Sequence, residues 1–276
     1  QIWKESSKNF KVVDANAKMD GKDVVLTANY LLAAGNLYIA TYRIHPSGVV
    51  KADYIFTSTD MEANKTEISE ATLMATFTPG NDAIRKQSSK LVVPRIGVRF
   101  RLPAEMNQVT YFGRGPEENY IDRNAGTFVG LYKNTADNMY FPYIRPQENG
   151  HHTDTRWLTL SKKGGKGLTI YADNTIGFNA LRNSVEDFDS EEATHRDYQW
   201  ANRNAKELEH DVETARNIKP RHTHINDIRP RNFVEVCVDM KQMGVGGYDS
   251  WGAQPDPQYL IPANQEYKWG FTIVPM

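Results

Sequence analysis

Apolar and polar residues alternate at every second position in stretches from one end of the chain to the other, the pattern of strands that bury one face. Tyr38, Ala40, Tyr42 and Ile44 alternate with Ile39, Thr41 and Arg43, and after HPSG the pattern resumes at Val50, Ala52, Tyr54 and Phe56. Two such runs around a short Pro-Gly turn predict a hairpin. The segment PRIGVRFRL puts Ile96, Val98, Phe100 and Leu102 on one face and Arg95, Arg99 and Arg101 on the other, which predicts a strand with one wet side. Later, Val234, Val236, Val238 and Met240 oppose Glu235 and Asp239, while Tyr267, Trp269, Phe271 and Ile273 alternate with Lys268 and Thr272. Strands separated by Gly, Pro, Asn and Asp turns predict packed antiparallel sheets, because a lone sheet leaves an apolar face exposed.

The polar stretch from Ser184 to Asn217 interrupts this pattern. SVEDFDSEEATHR and NAKELEHDVETARN suit short helices with an acidic first turn. Phe188, Tyr198, Trp200 and Leu208 are enough to pin such an excursion to a surface and too few for a second core. The expectation is one all-β domain over residues 1–276, a sandwich of antiparallel sheets with a helical surface excursion.

Composition narrows the function classes. A chain of 276 residues with 39% apolar and 24% charged residues is long enough for a large core and unlike a disordered chain. Thirty-three basic residues balance thirty-four acidic ones, so no overall field favours nucleic acid or an anionic membrane. The one cysteine, Cys237, sits in the apolar run FVEVCVDM and reads as a buried thiol, which leaves no disulfide. No run approaches the roughly 20 apolar residues of a membrane span. The start QIWKESSKNF has neither an initiator Met nor a signal-peptide core, so the chain reads as a fragment of something longer, in an undecided cytoplasmic or periplasmic compartment.

Several groups invite a chemical reading. Glycosidic bonds are normally cleaved by two carboxyl groups roughly 5–9 Å apart. Glu117 and Glu118, like Glu191 and Glu192, are neighbours that point to opposite faces of an extended chain, and they read as solvated. FPYIRPQENGHHTDTRW gathers Arg145, Gln147, Glu148, Asn149, His151, His152, Asp154 and Arg156, either as ligand groups or as a turn that bonds to itself. His222, His224 and Asp227 have metal-like spacing but lack a further nearby ligand, and SKKGGKG lacks full Walker spacing and reads as a hairpin turn. In KQMGVGGYDSWGAQPDP, glycines free the backbone around Asp249, Ser250 and Trp251. Trp251 reads equally as core or as a stacking face for a sugar ring, with Asp249 and Ser250 as hydroxyl partners.

Three segments, YFGRGPEENYIDR, GLYKNTADNMYFPYIRPQENGHHTDTRWLTL and MKQMGVGGYDSWGAQPDPQYLIPA, closely resemble the last domain of LacZ-type β-galactosidases of glycoside hydrolase family 2, in the family's order. The resemblance runs from about Leu91 to the end and is looser before it. It implies a β-supersandwich similar to galactose mutarotases, attached after a barrel domain whose two glutamates cleave terminal β-galactosides and which lie outside this chain. It also implies a domain that completes the substrate pocket and supports the barrel without catalytic or metal-binding residues of its own. The same resemblance implies that the divalent metal and sodium of the parent bind elsewhere and that the parent is a homo-oligomer. Trp251 occupies the position of the family's aromatic platform, with Asp249 and Ser250 beside it. Tyr248 stands where the family often has Asp, and Ile121 where Pro is common. The rival readings are an independent carbohydrate-binding module and an aldose-epimerase-like enzyme using His152 and Glu148.

Overall fold

HPSG turns the chain as its composition predicts. The His45 N–H donates to the Val49 carbonyl and Gly48 takes a φ of +85°, which hands β3 (Asn36–Ile44) back as β4 (Val50–Ser58). Ala40 faces Tyr54 across the ladder and Tyr42 faces Ala52, so the apolar sets of both strands share one side. The KKGG turn works likewise: Gly164 and Gly165, both at positive φ, join β8 (His152–Ser161) to β9 (Gly167–Leu181). The computed structural model describes residues 2–58, 92–144, 147–188, 225–249 and 253–276.

The remaining strands are β1 (Lys11–Asp20), β2 (Asp23–Leu31), β5 (Arg95–Pro103), β6 (Gln108–Gly115), β7 (Phe128–Thr135), β10 (Phe233–Gln242) and β11 (Tyr267–Pro275). They form one antiparallel sheet in the order β1-β2-β3-β4-β11-β9-β8-β6-β7, from which β10 and β5 branch at β9. The fifteen-residue β9 makes the branch: Leu168 to Ala172 pair with β11, and Gly177 to Leu181 pair with β10. The branch folds over the main sheet and makes the sandwich. Val234, Val236 and Val238 of β10, fully buried, join Ala52, Tyr54, Tyr111, Leu158, Ile170 and Phe271 in one core, with Val98, Phe100 and Leu102 of β5 at its margin. Burying each such valine contributes roughly 1.5–3 kcal/mol. A second cluster gathers Phe56, Val93, Ile96, Ile261 and Ala263. β1 is exposed along all ten residues.

The fold is therefore all-β, as the alternation predicts. Within the polar excursion, the described part is a 3-10 turn, Val185–Phe188, whose Phe188 stacks on Tyr140 at 6.0 Å. Tyr198, Trp200 and Leu208 lie outside the described residues. No helix among the described residues is long and apolar enough to cross a membrane.

Candidate functional site

Two segments far apart in sequence meet at one carboxylate. Asp122 lies in the turn between β6 and β7, where Tyr120 and Arg123 exchange backbone hydrogen bonds at 3.2 and 2.8 Å. Gly246 lies in the loop between β10 and β11, and its N–H donates to Asp122 Oδ2 at 2.8 Å. Gly244 passes so close that a Cβ would stand 2.7 Å from the same oxygen, which is why glycine is needed there. Beyond this contact the loop forms a neck: the Gly247 N–H donates to the Ala253 carbonyl at 2.8 Å, and the Ala253 N–H donates to Asp249 Oδ1 at 3.0 Å. One oxygen of Asp249 thus closes the loop. Tyr248 is 76% exposed beside it. Ser250 and Trp251 fall between the two sides of the neck in sequence and lie outside the described residues.

The turn that carries Asp122 is itself fixed. The Asn119 side chain donates to the Arg114 and Glu117 carbonyls, and its Oδ1 accepts from the Thr153 N–H at 2.9 Å. Tyr120, 1% exposed, stacks on His151 with ring centres 5.6 Å apart, and the Arg123 guanidinium lies over Tyr120. Glu118 departs from its expected solvated position. Its side chain is 7% exposed and accepts from Arg123 at 3.0 Å, from the Gly150 N–H at 2.6 Å and from the Tyr143 hydroxyl. Adjacent Glu117 is exposed, so the two do point apart, but a buried carboxylate persists only with such partners.

The far face of the branch corrects a second expectation. Arg95 does not stand on a wet side as the alternation predicts: it bonds Asn179 and, at 2.5 Å, Asp239, which is 1% exposed. Arg99 and Arg101 reach Glu235, 3% exposed, at 3.4 and 2.8 Å. Glu235, Cys237 and Asp239 are alternate residues of β10, so they share this face, with Leu181, Asn179 and Gly177 of β9 opposite them. Burial raises the Asp239 carboxyl pKa against the pull of Arg95, and pushes the Cys237 thiol up to about 12. Cys237 is buried as expected.

A cleft of about 320 Å3 lies over this face, lined by Arg95, Glu148, Asn149, Asn179, Asn183 and Glu235 among others. Most of these polar groups are already committed. Asn179 Nδ2 donates to the Asn149 carbonyl, which orients the amide, and its Oδ1 accepts from Arg95 and from His151 Nδ1. Asn149 both donates to and accepts from the Phe141 backbone, and Asn183 Nδ2 donates to the Arg229 carbonyl. Of the two readings of the PQENGHH run, the geometry favours a turn that bonds to itself. His151 and His152, both 2% exposed, have their pKa lowered by burial to about 3, so both are neutral. His152 stacks on Phe178 and bonds the Arg114 carbonyl, the position of a core histidine.

The glycines of SKKGGKG form the expected hairpin turn. Asp227 belongs to a 3-10 turn, while Arg145, Glu191, Glu192, His222 and His224 lie outside the described residues. Among the described residues, no three His, Cys, Asp or Glu side chains are grouped as a metal site.

Comparison with known proteins gives the family of the chain. Residues 1–273 match the family described as beta galactosidase small chain. The chain belongs to the β-galactosidase small-chain family. It is 30% identical over 233 residues to a β-galactosidase of Priestia megaterium, covering 82% of this chain and 19% of that protein. It is 30% identical over 184 residues to one of Streptococcus thermophilus, covering 66% of this chain and 15% of that protein. With one of Arthrobacter sp. strain B7 the identity is 40% over 102 residues, which are 35% of this chain and 10% of that protein. The chain thus spans less than a fifth of the length of these relatives.

Within this small-chain fold, the glycine-rich loop and the GPEENYIDR turn are the two segments in contact at Asp122. Sequence reasoning singled out the loop and passed over Asp122. The available signal was a lone Asp in a turn, inside a segment of the family resemblance.

Proposed function

We propose that this chain is the carboxy-terminal domain of a multidomain β-galactosidase. In this reading residues 1–276 form a single unit that packs against the remaining domains of a homo-oligomeric parent. Its 243–256 loop supplies one wall of the galactoside pocket, with Trp251 as the stacking face and Asp249 and Ser250 beside it. The catalytic carboxylates belong to the rest of the parent.

The observation that carries this reading is the clamped loop. The Gly247 N–H donates to the Ala253 carbonyl and the Ala253 N–H donates to Asp249 Oδ1, so Gly247, Asp249 and Ala253 close one neck at the base of the loop. A short loop held at its base keeps an aromatic side chain in a defined place, which a sugar platform requires. The buried carboxylates Glu118, Glu235 and Asp239 each hold an arginine, which suits structure better than acid or nucleophile chemistry.

The test is Trp251→Ala and Trp251→Phe in the intact protein, with kinetic constants and denaturation midpoint measured on the same samples. An aromatic platform contributes roughly 1–3 kcal/mol, so Trp251→Ala should lower kcat/KM about 10- to 100-fold at an unchanged midpoint, and Trp251→Phe less. A collapsed midpoint with unchanged kinetics makes Trp251 a core residue and ends the reading. The purified chain alone should not hydrolyse an aryl β-galactoside, and turnover proportional to its concentration would place catalytic groups within it.

A further inference from the structure

We propose that Asp122 is the positioning residue of the aromatic loop: its carboxylate sets where the 243–256 segment starts outward, and through it where the platform stands. This rests on the reading of Trp251 given above. Four observations converge on Asp122. Its Oδ2 accepts the Gly246 N–H at 2.8 Å, a charge-assisted bond between residues 124 positions apart. Gly244 has no room for a Cβ beside it, with both Asp122 and Pro255 closer than 3 Å to that point. Gly246 sits at φ +61°, with the Ala253 carbonyl 2.5 Å from the place of a Cβ, so the contact lies directly under the neck. Asp122 Oδ1 is buried and accepts no hydrogen bond among the described residues.

The last point separates positioning from mere stability. A half-buried carboxylate with one oxygen buried and unused is a costly choice for holding two loops together, since the desolvation of that oxygen is not offset. What it provides is direction. The acceptor sits on a turn braced by Asn119, by the stacked pair Tyr120 and His151, and by Glu118 with Arg123, so it cannot follow the loop if the loop drifts. The backbone on the strand side is also tied: the Met243 N–H donates to the Pro94 carbonyl and the Gly244 N–H to the Tyr259 carbonyl, both at 2.9 Å. Between those bonds and the neck at Gly247, Asp122 is the side chain that fixes the path of Gly246.

The experiment uses the intact protein, with o-nitrophenyl β-galactoside as probe, and compares Asp122→Ala, Asp122→Asn, Asp122→Glu, Trp251→Ala and the Asp122→Ala/Trp251→Ala double variant. Displacing a positioned group by an ångström lowers kcat/KM by about 10- to 100-fold, and that is the loss expected for Asp122→Ala. Asp122→Asn keeps an acceptor at the same reach and should recover most of it. Asp122→Glu keeps the charge but moves the acceptor outward, and should remain impaired. The double variant should be no worse than Trp251→Ala alone, because a platform already removed cannot be misplaced. If Asp122→Ala does not fold, the Asn and Glu variants decide the matter: Glu at wild-type kcat/KM overturns the proposal. Wild-type kinetics in Asp122→Ala, or losses that add in the double variant, overturn it while leaving the platform standing. Wild-type kinetics in Trp251→Ala remove the platform and this proposal together.

Discussion

Gly97 stands directly across the β5–β10 ladder from Asp239, and a Cβ on Gly97 would sit 2.0 Å from the Asp239 carboxylate. On the other side of Asp239 is Gly177, where a Cβ would meet the His151 ring at 2.5 Å. Two missing side chains therefore make the space in which a carboxylate, a guanidinium and an imidazole fit. Gly97→Ala should cost about 2–4 kcal/mol, measured as a shift in denaturation free energy, because it displaces a buried charge as well as crowding the strand. Gly126→Ala, with nothing within 4 Å and no positive φ, serves as the control and should change stability by no more than about 0.5 kcal/mol.

The Arg95–Asp239 pair should show strong coupling. Arg95→Met leaves a buried carboxylate without its cation and should lose about 3–5 kcal/mol. Adding Asp239→Asn removes the stranded charge, so the double variant should be more stable than the sum of the single losses predicts. Additive losses in urea denaturation would mean that the pair does not act as a unit.

Acid should unfold this chain through its two buried histidines. An imidazole with a native pKa of about 3 against an ordinary 6.5 stays neutral when folded and takes up a proton on unfolding at any pH between the two. Each therefore favours the folded state fully above about 6.5 and loses that contribution as pH falls toward 3. Burial is the main cause in both, with Arg95 adding repulsion at His151. Asp239, whose pKa is raised by burial, acts in the opposite sense as it protonates. Denaturation midpoints between pH 7 and pH 4 should fall by an amount worth on the order of several kcal/mol, and His152→Gln should flatten the curve. A flat profile in the unmodified protein rules this account out.

Cys237, 5% exposed and with its thiol pKa pushed up to about 12, should be unreactive in the native state. Iodoacetamide should label it at least a thousandfold or so more slowly at pH 8 than in denaturant, since access requires opening of β10. Rapid native labelling would show that the β5–β10–β9 face opens readily.

Alternation found the faces of β3, β4, β5, β10 and β11, because strand geometry forces successive side chains to opposite sides. It could not tell what lies over the second face. Arg95 reads as solvent-facing together with Arg99 and Arg101, and the 147–151 turn and the Val185–Phe188 turn, brought there by tertiary folding, cover the Arg95 end of that face, while Arg99 and Arg101 stay exposed. Glu118 was misplaced for the same reason, since its partners Tyr143 and Gly150 come from a different loop. The glycine-rich loop was legible from Gly244, Gly246 and Gly247. Asp122 was not, because a contact across 124 residues leaves no local period.

β11 lies between β4 and β9 and is hydrogen-bonded to both, so among the described strands it is the one that joins the β1–β4 meander to the rest of the main sheet. In chain order it is also the last of the eleven described strands. Until Tyr267 to Pro275 emerge, Val50–Ser58 and the first half of Gly167–Leu181 present unsatisfied backbone edges, and each can recruit a strand from a neighbouring nascent chain. Two seams thus wait on one later segment, and both stay open to aggregation until it pairs.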